Sequence, residues 1–159
     1  MTVYSAYIKT PLGICEINGS DKGIESISIL DNEIPASSKI PEQLQDCATQ
    51  LHEYFQGNRK VFKLKLNPKG TPFQQEVWNS LEEIQYGQTR SYLEQTRILG
   101  DEKAIRAVAS ANGKNPLWIV LPCHRVIGSN GKLTGYAGGL WRKKWLLDHE
   151  QGLQQTTLF

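Results

Sequence analysis

The sequence predicts an α+β protein: a small strand-and-helix domain followed by a mainly helical one. Three observations carry this. Short apolar alternations fill residues 2–30. The apolar period changes to three and four after Asn67-Pro68-Lys69-Gly70, the best linker in the chain. Two boxes of the Thr/Ser-x-x-Gln/Glu type then open helices. The boundary gives domains 1–69 and 70–159, with 151–159 as a loose tail.

In the first domain, Tyr4, Ala6 and Ile8 alternate with small or polar neighbours. Pro11-Leu12-Gly13 marks a turn, Ile14 and Ile17 a second strand, and Ile24, Ile27 and Ile29 a third. Ile40, Leu44, Cys47, Leu51 and Phe55 recur at helical spacing, and that helix ends near Gly57. Phe62, Leu64 and Leu66 alternate with lysines, which predicts a half-buried strand.

In the second domain, Thr71-Pro72-Phe73-Gln74 opens a helix with stripe Phe73, Val77, Leu81 and Ile84, ended by Gly87. Ser91-Tyr92-Leu93-Glu94 opens a short helix closing at Gly100. Asp101 caps a third that runs to about Asn112. Two short helices around a glycine turn resemble a helix-turn-helix. The second, Ala104–Ala111, has mostly small side chains, with Arg106 among them. Such a helix packs tightly inside a protein or approaches another surface closely. Leu117–Leu121 reads as a buried extended segment delivering Pro122-Cys123-His124-Arg125. Asn130-Gly131 signals a hairpin after Val126. A last helix, about Leu140–Glu150, shows apolar residues at Leu140, Trp141, Trp145 and Leu147.

Composition excludes several classes. Apolar and charged residues make up 39% and 21% of the chain, as in a globular protein. No stretch approaches the ~20 apolar residues of a membrane span, and the first residues do not read as a secretory signal, so a cytoplasmic monomer is expected. Three scattered cysteines, Cys15, Cys47 and Cys123, form neither a disulfide framework nor a zinc knuckle. Cys15 and Cys47 read as small buried hydrophobes. With His52 they make no convincing four-ligand set, so neither metal nor cofactor is expected. The net charge of +2 is unevenly spread. Residues 103–147 hold eight Lys or Arg and no Asp or Glu. Such a block neutralises phosphates from a folded surface or is merely a solvated face, and charge alone does not separate the two.

A cysteine is a nucleophile as thiolate, which needs a cation, a base or helix dipoles nearby. Cys123 is followed by His124, and His149-Glu150 near the chain end offers a carboxylate to orient an imidazole. Taken alone, the Cys-His dipeptide reads as an inert thiol beside an ordinary histidine. The wider pattern changes that. Pro122-Cys123-His124-Arg125-Val126 resembles the active-site signature of the O6-alkylguanine-DNA alkyltransferases. Arg106-Ala107-Val108, Gly113-Lys114-Asn115-Pro116, Gly135-Tyr136-Ala137-Gly138-Gly139-Leu140 and Trp145-Leu146-Leu147 with His149-Glu150 follow in that family's order and spacing. The resemblance is strong over 71–150. Residues 1–70 fit by length and pattern only.

The resemblance implies a ribonuclease-H-like first domain without nuclease carboxylates, and a winged helix-turn-helix-like second domain that meets double-stranded DNA from the minor groove. It implies repair of O6-alkylguanine, with O4-alkylthymine as a further candidate substrate, by irreversible, single-use transfer of the alkyl group to Cys123. His124 is then the base acting through a water, Glu150 polarises it, and Asn115 is a buried hinge. Arg106 is the finger that replaces the flipped base, and Tyr92 crowds the adjacent phosphate and is a candidate proton donor. Ala107, Lys114 and Arg125 lie on the DNA side. Tyr136, Ala137 and Gly138 line the guanine pocket, where carbonyls near Cys123 and Val126 read the exocyclic amine. Trp118 departs from the family pattern and is either core or pocket wall. The alternatives are a non-catalytic alkylated-DNA-binding module, a regulator that senses alkylation, and a cysteine hydrolase. Cys123 argues against the first, the lack of an added regulator domain against the second, and the basic alanine-lined helix against the third. Gln155, Leu158 and Phe159 also resemble a sliding-clamp docking peptide, the alternative being that they fold back onto the domain.

Overall fold

The computed structural model describes residues 2–152. The proposed clamp peptide, Gln155–Phe159, lies outside them. The chain forms two compact units.

The first unit comprises residues 1–69 together with Pro116–Trp118. Its strands β1 (Tyr4–Thr10), β2 (Gly13–Ser20) and β3 (Gly23–Leu30) form an antiparallel meander, with Ala6 opposite Ile17 and Cys15 opposite Ile29. Alternation sends Ala6, Ile8, Cys15, Ile17, Ile27 and Ile29 to one face. Helix α1 (Glu42–Phe55) covers that face with Leu44, Cys47, Ala48, Leu51 and Tyr54. The buried aromatic is Tyr54, not Phe55. A stripe at three- and four-residue spacing runs equally well through either, and apolarity alone favours Phe55. Phe62, Leu64 and Leu66 alternate in exposure as expected but form no strand. A parallel bridge joins Ile24 to Leu66, with the Ile24 amide donating to the Lys65 carbonyl at 2.8 Å. Leu117 makes a second parallel bridge to Ile27.

The second unit comprises, among the described residues, 70–115 and 119–152. Helix α2 (Pro72–Leu81) starts on a capping box, Thr71 with Gln74. After the two-residue β4 (Arg90–Ser91), a second box, Ser91 with Glu94, starts α3 (Tyr92–Leu99). Asp101 caps a 3₁₀ turn, Glu102–Ala104, that leads into α4 (Ile105–Gly113). Another 3₁₀ turn, Cys123–Arg125, precedes β5 (Val126–Ile127), which pairs in parallel with β4. The last helix is α5 (Leu140–Gln151). Trp78, which the stripe reading missed, is buried and donates its indole N–H to the Ala111 carbonyl at 2.8 Å, tying α2 to α4. Phe73 is instead 40% exposed.

Three expectations fail here for physical reasons. Leu117–Leu121 is buried in part but not extended: turns follow Leu117, and Ile119 adopts φ 76°. A β-branched residue there is strained, so an apolar run was a poor guide to backbone shape. The Asn130-Gly131 turn forms, with Gly128 donating to the Lys132 carbonyl at 2.8 Å, but no return strand follows it. The face of α5 is inverted. Leu140 and Trp141 are 48% and 57% exposed, while Arg142, Lys143, Leu146 and Glu150 are buried.

Candidate active site

A cavity of about 250 Å³ opens in the second unit. Its walls are Tyr92 of α3, then Ala109, Asn112 and Gly113 of α4, then Cys123, then the Thr134–Ala137 segment. Cys123 is 7% exposed and meets the cavity from the 3₁₀ turn. The small residues of α4 therefore do two things. Val108 and Ala111 pack inward, while Ala109 and Gly113 leave room for the cavity. Arg106, Ala107 and Lys114 are exposed on or just beyond α4.

Behind the thiol lies a buried polar cluster. His124 Nε2 and Glu150 Oε2 are 2.7 Å apart, both side chains fully buried. Arg125 grips the same carboxylate: its Nε donates to Oε1 at 2.8 Å and its Nη2 to Oε2 at 3.1 Å. Its Nη1 donates to the Ile84 carbonyl. Burial alone would raise the Glu150 carboxyl. The hydrogen bond from His124, with the hydrogen bonds and charge of Arg125, overcomes that and holds it well below the ordinary carboxylate range. Burial lowers the His124 imidazole, and Arg125 and Lys143 add to this against Glu150. A neutral imidazole facing an ionised carboxylate must place its proton on Nε2. The lone pair then sits on Nδ1, which is buried and has no hydrogen-bond partner among the described residues.

Burial pushes the Cys123 thiol up, opposed by a hydrogen bond from Asn115 and by the charge of Lys143. Asn115 also donates to the Leu121 carbonyl at 2.7 Å, which fixes its amide beside the turn. Lys143 is wholly buried, and its ammonium donates to the carbonyls of Val126 at 2.6 Å, Thr134 at 3.0 Å and Gly135 at 3.2 Å. Burial lowers it to about 8, with Cys123 pulling the other way. Tyr92 donates to the Thr134 carbonyl at 3.1 Å, and burial pushes its phenol up, so it keeps its proton.

The structure thus brings together Cys123, His124, Glu150, Asn115, Tyr92, Tyr136 and Ala137. It relocates others. Arg125, expected on the DNA side, is 6% exposed and committed to Glu150 and Ile84, because a buried carboxylate needs a buried cation. Val126 does not line the cavity, and its carbonyl accepts from Lys143. Gly138 stands just beyond the lining, its carbonyl accepting from Arg142. Trp118 is in the first unit, where its amide donates to the Ile27 carbonyl at 3.0 Å, and it is not a cavity wall. Lys143 was missed as a site residue. The available signal was three consecutive cations, Arg142-Lys143-Lys144, on a helix whose apolar stripe is poor.

Fold and site together define a helix-turn-helix protein that presents a buried thiol to a small cavity. Comparison with known proteins agrees. Residues 72–152 match the DNA-binding domain of 6-O-methylguanine DNA methyltransferase, and residues 3–68 match its ribonuclease-like domain. A methylated-DNA–protein-cysteine methyltransferase of Methanosarcina acetivorans is 44% identical over 153 residues, covering 93% of this chain and 98% of that one. The constitutive enzyme of that description from Bacillus subtilis is 53% identical over 114 residues, covering 71% and 69%. A crystal structure of Mycobacterium tuberculosis OGT in complex with DNA superposes with a TM-score of 0.85 at 40% identity, covering 94% of this chain and 93% of that one. The chain belongs to the 6-O-methylguanine DNA methyltransferase family.

Proposed function

We propose that this protein repairs O6-alkylguanine in double-stranded DNA by moving the alkyl group irreversibly onto Cys123. The observation that carries the reading is the buried Cys123 thiol at a cavity, backed by the His124–Glu150–Arg125 cluster.

This reading entails the following chemistry. O6 lies inside a duplex, so the nucleotide rotates out into the cavity, at a cost of a few kcal/mol of unstacking. Arg106, exposed on α4, fills the gap, and Tyr92 crowds the neighbouring phosphate. Ala107 keeps the approaching helix face shallow, and Lys114 answers the backbone charge. The thiol proton passes through a water to His124 Nδ1, and Glu150, held ionised by Arg125, stabilises the imidazolium that results. Lys143 favours the thiolate. The sulfur lone pair attacks the alkyl carbon in line, and the carbon–O6 bond breaks with its electron pair going to the guanine. On this reading the Tyr92 phenol gives a proton to the departing guanine and is reprotonated as His124 releases the thiol proton to solvent. The thioether is stable, so each molecule acts once. Arg125 is a positioning residue on this reading, and Val126 contributes a carbonyl shared with Lys143.

The competing reading is a module that binds the lesion and transfers nothing. Peptide mass mapping after incubation with an O6-methylguanine duplex separates the two. A methyl on the Cys123 peptide, absent in Cys123→Ser while lesion binding persists, is the expected result. Tight binding with Cys123 unmodified would establish the module instead.

A further inference from the structure

The Thr134–Gly139 segment, whose first four residues supply one cavity wall, runs through no strand or helix. Its backbone is instead tied to side chains. Lys143 takes the Thr134 and Gly135 carbonyls, Tyr92 also takes Thr134, and Arg142 Nη1 donates to the Gly138 carbonyl at 3.2 Å. Lys143 and Tyr92 also serve the thiol and the base. Arg142 holds the residue that follows the lining, Gly138.

Arg142 is an unexpected buried residue, 5% exposed at the start of α5. Trp141 explains how it is held. Its indole, 57% exposed, lies under the guanidinium with 4.7 Å from the guanidinium carbon to the ring centroid. A cation on an indole face gains from the ring quadrupole, and the plane of the ring restricts the guanidinium to few orientations. The same indole borders Gly139, whose φ of 92° closes the segment, and whose amide donates to the Tyr136 carbonyl at 2.9 Å. An exposed tryptophan and a buried arginine, inverted from ordinary helix patterning, thus form one clasp on the far end of the wall.

We propose that Arg142, braced by Trp141, is a specificity-determining residue: by fixing the Gly138 carbonyl it sets how far the wall yields, and hence how large an O6 substituent the cavity admits. This rests on the reading of the cavity as the seat of the alkylated base. With the clasp intact, the wall is preorganised for a small substituent. With it broken, the wall gives way to a bulky one and is less well formed for a small one.

The test compares second-order transfer rates for duplexes carrying O6-methylguanine or O6-benzylguanine, in the full chain and in Arg142→Leu, Arg142→Lys and Trp141→Ala. Arg142→Leu is expected to raise the benzyl-to-methyl ratio about tenfold, the scale of one lost charge-assisted hydrogen bond. Trp141→Ala, a surface change that spares the fold, is expected to raise it in the same direction, and Arg142→Lys, which keeps a donor, to recover most of the wild-type ratio. Amide exchange at Gly139 should quicken in Arg142→Leu and in Trp141→Ala. A ratio unmoved in Trp141→Ala and in folded Arg142→Leu overturns the assignment, whatever the exchange rates. Failure of the wild-type protein to transfer either group would remove the reading of the cavity, and the clasp with it. Methyl transfer with an unmoved ratio removes the clasp alone.

Discussion

A lysine with no exposed surface is uncommon, and Lys143 is tolerated because three backbone carbonyls take its ammonium protons. Its depression to about 8 leaves it mostly charged at neutral pH, where it opposes the rise that burial imposes on the Cys123 thiol. Lys143→Met is therefore expected to move the pH profile of Cys123 alkylation by iodoacetamide to higher pH and to slow the reaction at pH 7 by about tenfold or more. An unmoved profile would leave Lys143 with a structural role only. Glu150 makes a second prediction. Its carboxyl is held well below the ordinary 4.5, so between the two values the unfolded chain binds more protons than the folded one. The pair's contribution is present above about pH 4.5 and is lost as the pH falls toward the folded value. His124, lowered from 6.5, adds loss in the same direction from below that pH. Glu150→Gln should flatten the fall of unfolding free energy between about pH 4.5 and pH 3, measured by urea titration. An unchanged slope would contradict the ionised, paired state.

At the scale of elements, α3 and α4 meet through a reciprocal amide pair. Asn112 Nδ2 donates to Gln95 Oε1 at 2.7 Å, and Gln95 Nε2 donates to Asn112 Oδ1 at 3.1 Å and to Ser80 Oγ at 3.2 Å. All three are buried. Losing one partner strands the other, so Gln95→Leu or Asn112→Leu should each cost about 1–3 kcal/mol. The double variant should cost less than the sum, a coupling that a denaturation cycle measures directly. Additive costs would show that the pair does not set the helix junction. Legibility also divides at this scale. The capping boxes at Thr71 and Ser91 were readable because capping is local: a side chain answers backbone amides three residues on. Period-two alternation placed β1 to β3 for the same reason. The buried face of α5 was not readable, because Lys143 and Glu150 are stabilised by a carbonyl and a cation remote in sequence, and Arg142 by a loop carbonyl whose position no periodicity reports. The bend at Ile119 was hidden likewise, since its conformation goes against the preference of its residue type. Cys123, His124 and Glu150 were legible through the spaced motifs of a family. Their hydrogen bonds, and the place of Arg125, needed three dimensions.

For the whole molecule, the structure divides the basic block. Of the eight cations in residues 103–147, Arg125, Arg142 and Lys143 are buried. Lys103, Arg106, Lys114, Lys132 and Lys144 are exposed, and Lys144 pairs with Asp148. The modest net charge of +2 thus conceals a split between cations available to phosphates and cations that build the site. Phosphate contacts are read in the salt dependence of binding. Lys114→Ala is expected to reduce the slope of log K against log salt by about one. Arg125→Met should leave that slope unchanged while disturbing the His124–Glu150 pair. A reduced slope for Arg125→Met would put its guanidinium on the DNA after all. No helix among the described residues is long and apolar enough to cross a membrane.

The central claim, a single irreversible transfer to one thiol, is tested most directly by intact mass. The protein is mixed with increasing excess of a duplex containing one O6-methylguanine, and both protein mass and unrepaired lesion are followed to completion. The expected result is one methyl per protein molecule and lesion consumption that stops at one equivalent. Repair continuing beyond one equivalent, or a protein mass that never changes while the lesion is bound, would contradict it.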